Sequence, residues 1–585
     1  MANRPNVIII LSDDQGYGDF SCHGNPVVRT PNFDRLYGES IRFEDFHVTP
    51  MCTPTRGQIM SGLDSLRNGA TSVCGGRSFL RRGIPTMADI FLANGYRTGL
   101  FGKWHLGESY PFRPEYRGFE ETLYFPSATI TCAPDHWNND YFDDTYRHNG
   151  IPQAYTGYCT DVFFAEAMQW MQHCQAEGQP FFTYLATGAD HMPYYVPDHY
   201  RDPYRHLDLD LASFFGMVAN YDENMGKLED FLEQRGLREN TLVIFMTDNG
   251  AVVSADLYNA GMRGGKCSLY HGGHRVPCFV RWPAGQLRAP GAIEQPAQCQ
   301  DLLPTLIDLC ALEGGGKYDG VSLAGVLRDE QALLADRMLV VQYGEPSAWQ
   351  STVIWGSWQL LWGVELYNLA DDPGQQRNIA EQHPDIVQQM RRHYEQWWEG
   401  LGENVSAWEG ISVGNDAENP VRLSSIDWRG PIFWYQTQIR GLKDANGEPS
   451  CINGPWNLQV ERDGDYEIAL RRWPTEADAP ITGSLPTFIP TDTAFMNTPM
   501  PPAENPQRCW IWTSATPEYG KALPINSARC RIGEFDQSIP VAAADKAALF
   551  HMPLQAGTTT LQTWFYDKDG KEISGAFYVD VRRMG

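Results

Sequence analysis

Val7-Ile8-Ile9-Ile10-Leu11 is an apolar run with no polar break, and it stops at Ser12-Asp13-Asp14. A strand with one wet face would alternate, so a run of this kind fits a parallel strand covered on both faces. The pattern recurs along the chain. Thr86-Met87-Ala88-Asp89 reads as a capping box opening a helix with Met87, Ile90 and Phe91 on its apolar face and Gly95 as its stop. A short strand over 98–101 follows. A helix over 161–175 precedes a strand over 181–185. Phe214, Met217, Val218, Tyr221, Met225, Leu228 and Leu232 then recur at helical spacing and lead to a strand over 242–246, closed by Thr247-Asp248-Asn249-Gly250. Alternating strand and helix predict an α/β fold, a large, mostly parallel sheet flanked by helices, whose ligands bind beyond the strands' carboxyl ends.

The pattern changes after about residue 335. The segment 355–362 predicts a strand, and His383-Pro384-Asp385 opens a helix over 386–398, giving a smaller α+β unit. From about residue 440 the chain is strand-rich. Trp456, Leu458 and Val460 alternate, Asp463-Gly464 predicts a hairpin turn, and Tyr466, Ile468 and Leu470 alternate on the return; Asp569-Gly570 predicts a second hairpin. The expected division is therefore 1–335 as a catalytic α/β domain, 336–440 as a smaller subdomain and connection, and 441–585 as a β-rich accessory module serving substrate access or assembly rather than chemistry.

Charge narrows the partners. Among 585 residues, 46 Lys and Arg face 72 Asp and Glu, a net charge of -26, which repels nucleic acid. An anionic substrate then requires a locally positive pocket. The 13 cysteines are odd in number and lack a C-x-x-C pair, so reduced, mostly buried thiols are expected. No stretch approaches the ~20 apolar residues of a membrane span. The start of the chain lacks a signal h-region, which reads as cytoplasmic; a trimmed leader would make the protein periplasmic or secreted instead.

Asp13-Asp14 and Asp248-Asn249 each follow a predicted strand. Oxygen donors of this kind suit calcium or magnesium, and carboxylates gathered at one sheet edge would repel one another without a cation. Met51-Cys52-Thr53-Pro54-Thr55-Arg56-Gly57 contains C-x-P-x-R, and Gly102-Lys103-Trp104-His105 lies in a second conspicuous segment, 95–107. If that segment is extended, Lys103 and His105 point to one side. Together these motifs resemble the two signatures of the type I, formylglycine-dependent sulfatases, an arylsulfatase-like family in the alkaline phosphatase superfamily, although Phe101 is bulkier than the family's usual residue. Ala189-Asp190-His191-Met192-Pro193 resembles the family's H-x-P segment. Residues 265–277 resemble its K-x-x-x-x-E-G-G-x-R-V-P segment, with Lys266 matching and His271 standing where the family has Glu. Arg117-Gly118-Phe119-Glu120 and the segments 301–306, 319–323 and 366–373 extend the likeness over roughly residues 5 to 400. A Gly-Gly-Lys-Cys run also suggests a phosphate loop, but Ala260 and Cys267 break that motif.

The resemblance implies a definite chemistry. Cys52 is oxidised by a formylglycine-generating maturation enzyme to an aldehyde that hydrates to a diol. Asp13, Asp14, Asp248 and Asn249 hold one divalent cation, usually calcium, with the diol from Cys52 completing the shell. Lys103, His191 and Lys266 bind the sulfate ester. Asp248 takes the proton of the attacking hydroxyl, His191 with Lys266 protonates the departing alcohol, His105 is the base that expels sulfate and restores the aldehyde, and Arg56 orients the aldehyde residue. Asn249 favours this branch over the phosphonate monoester and phosphodiester hydrolases of the same superfamily, which commonly place histidine there. The other alternative is a catalytically silent, glycan-binding protein, which would need no such complete set. The C-terminal module resembles an extension of some bacterial arylsulfatases. A homo-oligomer is compatible with all of this.

Overall fold

The computed structural model describes residues 4–344, 346–443, 450–497 and 519–585. Its centre is an 11-stranded sheet. In chain order the strands are β1 (Asn6–Ser12), β2 (Ile41–His47), β3 (Arg97–Lys103), β4 (Glu121–Phe125), β5 (Thr145–His148), β6 (Ile151–Ala154), β7 (Phe181–Ala186), β8 (Thr241–Thr247), β9 (Arg275–Arg281), β10 (Gly291–Ile293) and β11 (Ala297–Gln298). Their spatial order is β10-β2-β9-β8-β1-β7-β3-β4-β5-β6, with β11 beside β2. The five strands from β8 to β4 are parallel, whereas β9 runs antiparallel to both β8 and β2, and β5 and β6 form an antiparallel edge.

The two-residue period of a strand explains the unbroken apolar run. Ile8 and Ile10 pack with Leu185 and Phe245 beneath helices Cys159–Ala176 and Leu209–Gln234. Val7, Ile9 and Leu11 pack on the opposite face with Tyr184, Ile244 and Met246, beneath helices Cys52–Ser61, Met87–Ala93 and Leu302–Leu309. Both faces are core, so neither tolerates a polar residue. The Thr86 capping box is formed: its hydroxyl accepts from Asp89 N at 3.1 Å, and the Asp89 carboxylate accepts from Thr86 N at 2.8 Å. The chain turns out of that helix through Asn94 and Gly95, the latter at φ 76°.

Two local expectations are corrected. Segment 355–362 is not one continuous strand: Trp355 ends strand Ser351–Trp355, Gly356 turns at φ 56°, and only Trp358–Leu361 is a strand within it, paired antiparallel to the first. With Leu339–Gln342 and Glu365–Asn368 they make a four-stranded sheet packed on helix Pro384–Leu401. Asp463-Gly464 does not close a hairpin. Trp456–Val460 pairs with Ile411–Val413 and Gly557–Tyr566 in one sheet, while Gly464–Arg471 pairs with Ala548–Leu554 and Tyr578–Met584 in another. The chain changes layer at that turn, which alternation alone cannot reveal. The second hairpin forms, with Gly557–Tyr566 pairing to Glu572–Ser574.

These two sheets enclose one apolar cluster that also takes in Phe79, Phe112 and Trp137 from the α/β part. Strands Ile411–Val413 and Val421–Ser424 join them, so the pairing begins upstream of residue 440. Trp428 is fully buried there, its ring 5.7 Å from those of Trp456 and Phe577. Trp428→Ala is expected to destabilise the protein by about 3–5 kcal/mol, read as a lower denaturant midpoint; an unchanged midpoint would show that this cluster does not support the fold. Among the described residues no helix is long and apolar enough to cross a membrane, and no disulfide joins the twelve described cysteines.

Candidate active site

β1, β3, β7 and β8 end side by side, and the polar residues collect at those ends. Asp13 and Asp14 follow β1, Lys103 is the last residue of β3, His191 lies in the loop after β7, and Asp248 and Asn249 follow β8. Backbone bonds lock the loops together: Asp13 N donates to Ala189 O at 2.9 Å, Asp190 N to Asp13 O at 3.0 Å, and Asp248 N to Ser12 O at 3.2 Å.

Cys52 opens helix Cys52–Ser61, every residue of which is buried. Pro54 sits in the first turn, where a missing N–H costs no helical bond. Arg56 follows one turn later, on the same side of the helix as Cys52. Gly57 lets the helix pack closely, since a Cβ there would lie 2.8 Å from Ala70 Cβ. Cys267 N donates to Pro50 O at 2.9 Å, joining the Lys266 loop to the segment before Cys52.

These elements converge. Donor atoms of Asp13, Cys52 and Asp248 lie within 4.8 Å of one another, as do those of Asp13, Asp14 and His191. Lys103 Nζ donates to Asp13 and Lys266 Nζ to Asp14. Arg56 donates Nε and Nη2 to one Asp248 oxygen at 3.0 and 2.9 Å, and Nη1 to Lys103 O at 3.1 Å. Burial raises the Asp13 pKa, but Lys103, His191 and Arg56 outweigh it and hold the carboxyl well below the usual range. At Asp248, burial and the Asp13 charge raise the pKa to about 7 against Arg56 and Lys103.

The donor set fits a hard divalent cation. Asp13 Oδ1, Asp14 Oδ2 and Asn249 Oδ1 are buried without any hydrogen-bond partner. Unpaired buried oxygens cost about 1–3 kcal/mol each unless something positive meets them. The Asn249 amide is oriented by donating Nδ2 to Asp14 Oδ1 at 3.0 Å and to Gly250 O at 3.1 Å.

The two histidines differ in presentation. His191 donates Nδ1–H to Met192 O at 2.7 Å, so Nε2 faces Asp14 Oδ2 at 3.5 Å, and burial lowers its pKa to about 4. His105 donates Nε2–H to Val73 O at 3.2 Å, which leaves Nδ1, buried and unpartnered, with a lone pair. Burial, Lys103 and Arg56 keep His105 neutral, well below its ordinary pKa. Its placement corrects one expectation. β3 stops at Lys103 and His105 takes φ 58°, so the pair does not share a face through strand alternation.

Above Cys52, His191 and Lys266 lies a cavity of about 310 Å³. Its wall includes Arg77, Tyr343, Trp434 and Tyr435, none of which was picked out from the sequence. They come from three separate segments and carry no motif; only tertiary folding brings them to the site. Among the described residues none of 441–585 lines it.

The Sulfatase family model matches residues 5–311. Arylsulfatase A from Homo sapiens is 32% identical over 350 residues, 56% of this chain and 67% of that protein. N-acetylgalactosamine-6-sulfatase from Mus musculus is 29% identical over 335 residues, 53% of this chain and 63% of that protein. These matches thus span about two thirds of the relatives' lengths. The crystal structure of Ps i-CgsB in complex with k-i-k-neocarrahexaose superposes with a TM-score of 0.63 at 25% identity, covering 69% of this chain and 94% of that one. With more than half its length matched, the chain belongs to the sulfatase family, the type I sulfatases of the alkaline phosphatase superfamily, whose members are sulfuric ester hydrolases.

Proposed function

We propose that the protein hydrolyses a sulfate monoester of a compact alcohol, aryl or alkyl, using formylglycine made from Cys52 and a calcium ion held by Asp13, Asp14, Asp248 and Asn249. The observation that carries the reading is the convergence of Cys52 with these buried oxygens and three cationic side chains, Arg56, Lys103 and Lys266. The family implies the divalent cation and the aldehyde; calcium, the usual occupant in the family, is compatible with four oxygen donors. The cation would supply positive charge for the nucleophile and for the sulfate oxygens. The hydrated aldehyde would supply one hydroxyl for attack and a second whose deprotonation releases sulfate.

The chain's own residues do the rest. Lys103 and Lys266 offer ammonium groups to an anionic ester in a largely buried site, where charge stabilisation is stronger than in water. Asp248, fixed by Arg56, accepts the proton of the attacking hydroxyl. His191 is neutral in the free protein, and the negative ester raises its proton affinity; as imidazolium it keeps its bond to Met192 O and turns Nε2–H toward the departing oxygen. His105 keeps an unprotonated, unpartnered Nδ1 that can accept the proton in the step that expels sulfate. Maturation requires a formylglycine-generating enzyme. A cytoplasmic location and a homo-oligomer stay as proposals with no bearing on the chemistry.

The leaving-group dependence tests these roles. His191→Ala is expected to slow alkyl sulfates by ~10²- to 10⁴-fold, and sulfates of acidic phenols far less, since a good leaving group needs little protonation. His105→Ala is expected to slow all substrates alike, with a sulfate-mass adduct on the residue 52 peptide. Equal fractional loss across a phenol and alkyl series for His191→Ala, or no adduct for His105→Ala, would show the roles to be misassigned. A parallel panel of phosphonate esters decides the rival activity, which Asn249, an amide in place of an imidazole, disfavours.

A further inference from the structure

We propose that Asp45, His47 and His271 form a second metal site, of the zinc type, behind the catalytic pocket. Two imidazoles and one carboxylate are a borderline donor set, unlike the oxygen-only set beside Cys52, and three such protein ligands leave a position open for water.

The fold builds this site deliberately. Asp45 and His47 are two residues apart at the end of β2, where a shift of register between Phe43 and Phe46 marks a bulge against β9. His271 opens the short segment His271–His274 that precedes β9. One donor atom from each of Asp45, His47 and His271 lies within 4.8 Å of the others. His47 Nε2 lies 3.1 Å from one Asp45 oxygen, and His271 Nε2 is hydrogen-bonded to the same oxygen at 3.3 Å. His47 is fully buried, and its Nε2 has no hydrogen-bond partner despite that proximity. The 3.1 Å approach is an ion-pair distance without the alignment of a good hydrogen bond. His271 is 6% exposed, whereas Asp45 is only partly covered and leaves a path for an ion.

A second layer of partners can set the tautomer, as metal-bound histidines require. His47 Nδ1 lies 3.1 Å from His274 Nδ1, and His274 Nε2 lies 3.2 Å from Leu269 O. A proton on His274 Nε2, given to that carbonyl, lets His274 Nδ1 accept from His47 Nδ1–H. The lone pair of His47 Nε2 is then available for the ion. In this structure Gln359, whose Oε1 accepts from Gln375 and whose Nε2 donates to Leu269 O at 3.2 Å, also presents Nε2 to His274 Nε2 at 2.9 Å and so sets the opposite tautomer. Binding an ion requires Gln359 to give up that bond. The neighbouring Arg275 is held by donating to Glu44 O at 2.6 Å and by lying over the Tyr17 ring; its charge disfavours positive charge at His271, and the Asp45 carboxylate offsets it.

The position gives the ion a purpose. Val48 N donates to His274 O at 2.9 Å on the segment leading to Cys52, and Gly250 N donates to Gly273 O at 3.0 Å beside Asn249. An ion at His271 would brace both approaches to the catalytic centre without touching substrate.

The test uses the full chain stripped of metal, then held in excess calcium to occupy the oxygen site, and titrated with Co²⁺ followed by Zn²⁺. Wild type and Cys52→Ala are expected to bind one cobalt per chain, with a visible absorption band that zinc abolishes. His271→Gln and Asp45→Asn should weaken zinc binding beyond the roughly 10- to 100-fold that loss of an outer partner costs, with circular dichroism unchanged, while Asp14→Asn should not weaken it. Absence of stoichiometric zinc or cobalt in calcium-saturated wild type would overturn the proposal. So would binding that survives His271→Gln but fails in Asp14→Asn, which would place the metal in the catalytic pocket. Because Cys52→Ala has no nucleophile, the result stands apart from whether the protein hydrolyses sulfate.

Discussion

Cys52→Ala is expected to lower kcat on an aryl sulfate by on the order of 10⁴-fold or more, with the fold intact. The unmodified thiol could not substitute for the aldehyde. Burial pushes its pKa up to about 11, with Asp13 and Asp248 adding to the rise and Lys103 and Lys266 only partly opposing it. Almost no thiolate exists at neutral pH, and the thiolate is the nucleophilic form. Wild-type protein whose residue 52 peptide weighs as plain cysteine should therefore be as inactive as the alanine variant. Cys52→Ser should also fail to turn over, because a serine sulfate ester lacks the second hydroxyl that would release the anion. Full activity in protein carrying only unmodified cysteine would remove the basis of the mechanism.

Arg56→Ala should cost about 3–5 kcal/mol of stability, because a fully buried carboxylate, Asp248, loses the guanidinium that gives it two hydrogen bonds. Lysine at 56 should recover only part, since one ammonium cannot reproduce the fork that also reaches Lys103 O. The double variant Arg56→Ala, Asp248→Asn should be less destabilised than the sum of the two single changes, as coupled partners are not additive. Urea midpoints for the four proteins measure this; strict additivity would mean that the pair is not coupled. Calcium should raise the midpoint of Arg56→Ala if it binds beside Asp248, by mass action on the folded state.

The unbroken run from Val7 to Leu11 made the central sheet legible, because only a strand covered on both faces tolerates it. Cys52, Lys103, His191, Lys266 and the two acidic pairs were legible because each stands in a dense motif or at a strand end. Other features depended on distance in space. The alternation on either side of Asp463-Gly464 is that of a hairpin, yet the strands belong to different sheets, and nothing local records which partner each will find. The left-handed φ of His105 arises from how the chain leaves β3, not from residue type. Arg77, Tyr343 and Trp434 belong to three segments far apart in the chain, so their shared cavity is a property of assembly alone.

The apolar cluster that unites the C-terminal sheets with Phe79, Phe112 and Trp137 ties the packing of those sheets to the α/β part that carries the pocket. Trp434 and Tyr435 reach the pocket from the stretch between strand Val421–Ser424 and strand Trp456–Val460 of those sheets, and Gln436 N is tied to Thr131 O at 3.0 Å. Shortening the chain near residue 440 would strip the inner cover from that cluster and release the pocket wall with it. Heat should therefore unfold the two parts in one calorimetric transition, and a lineage that discarded the terminal sheets would have to rebuild both a core surface and a specificity wall at once.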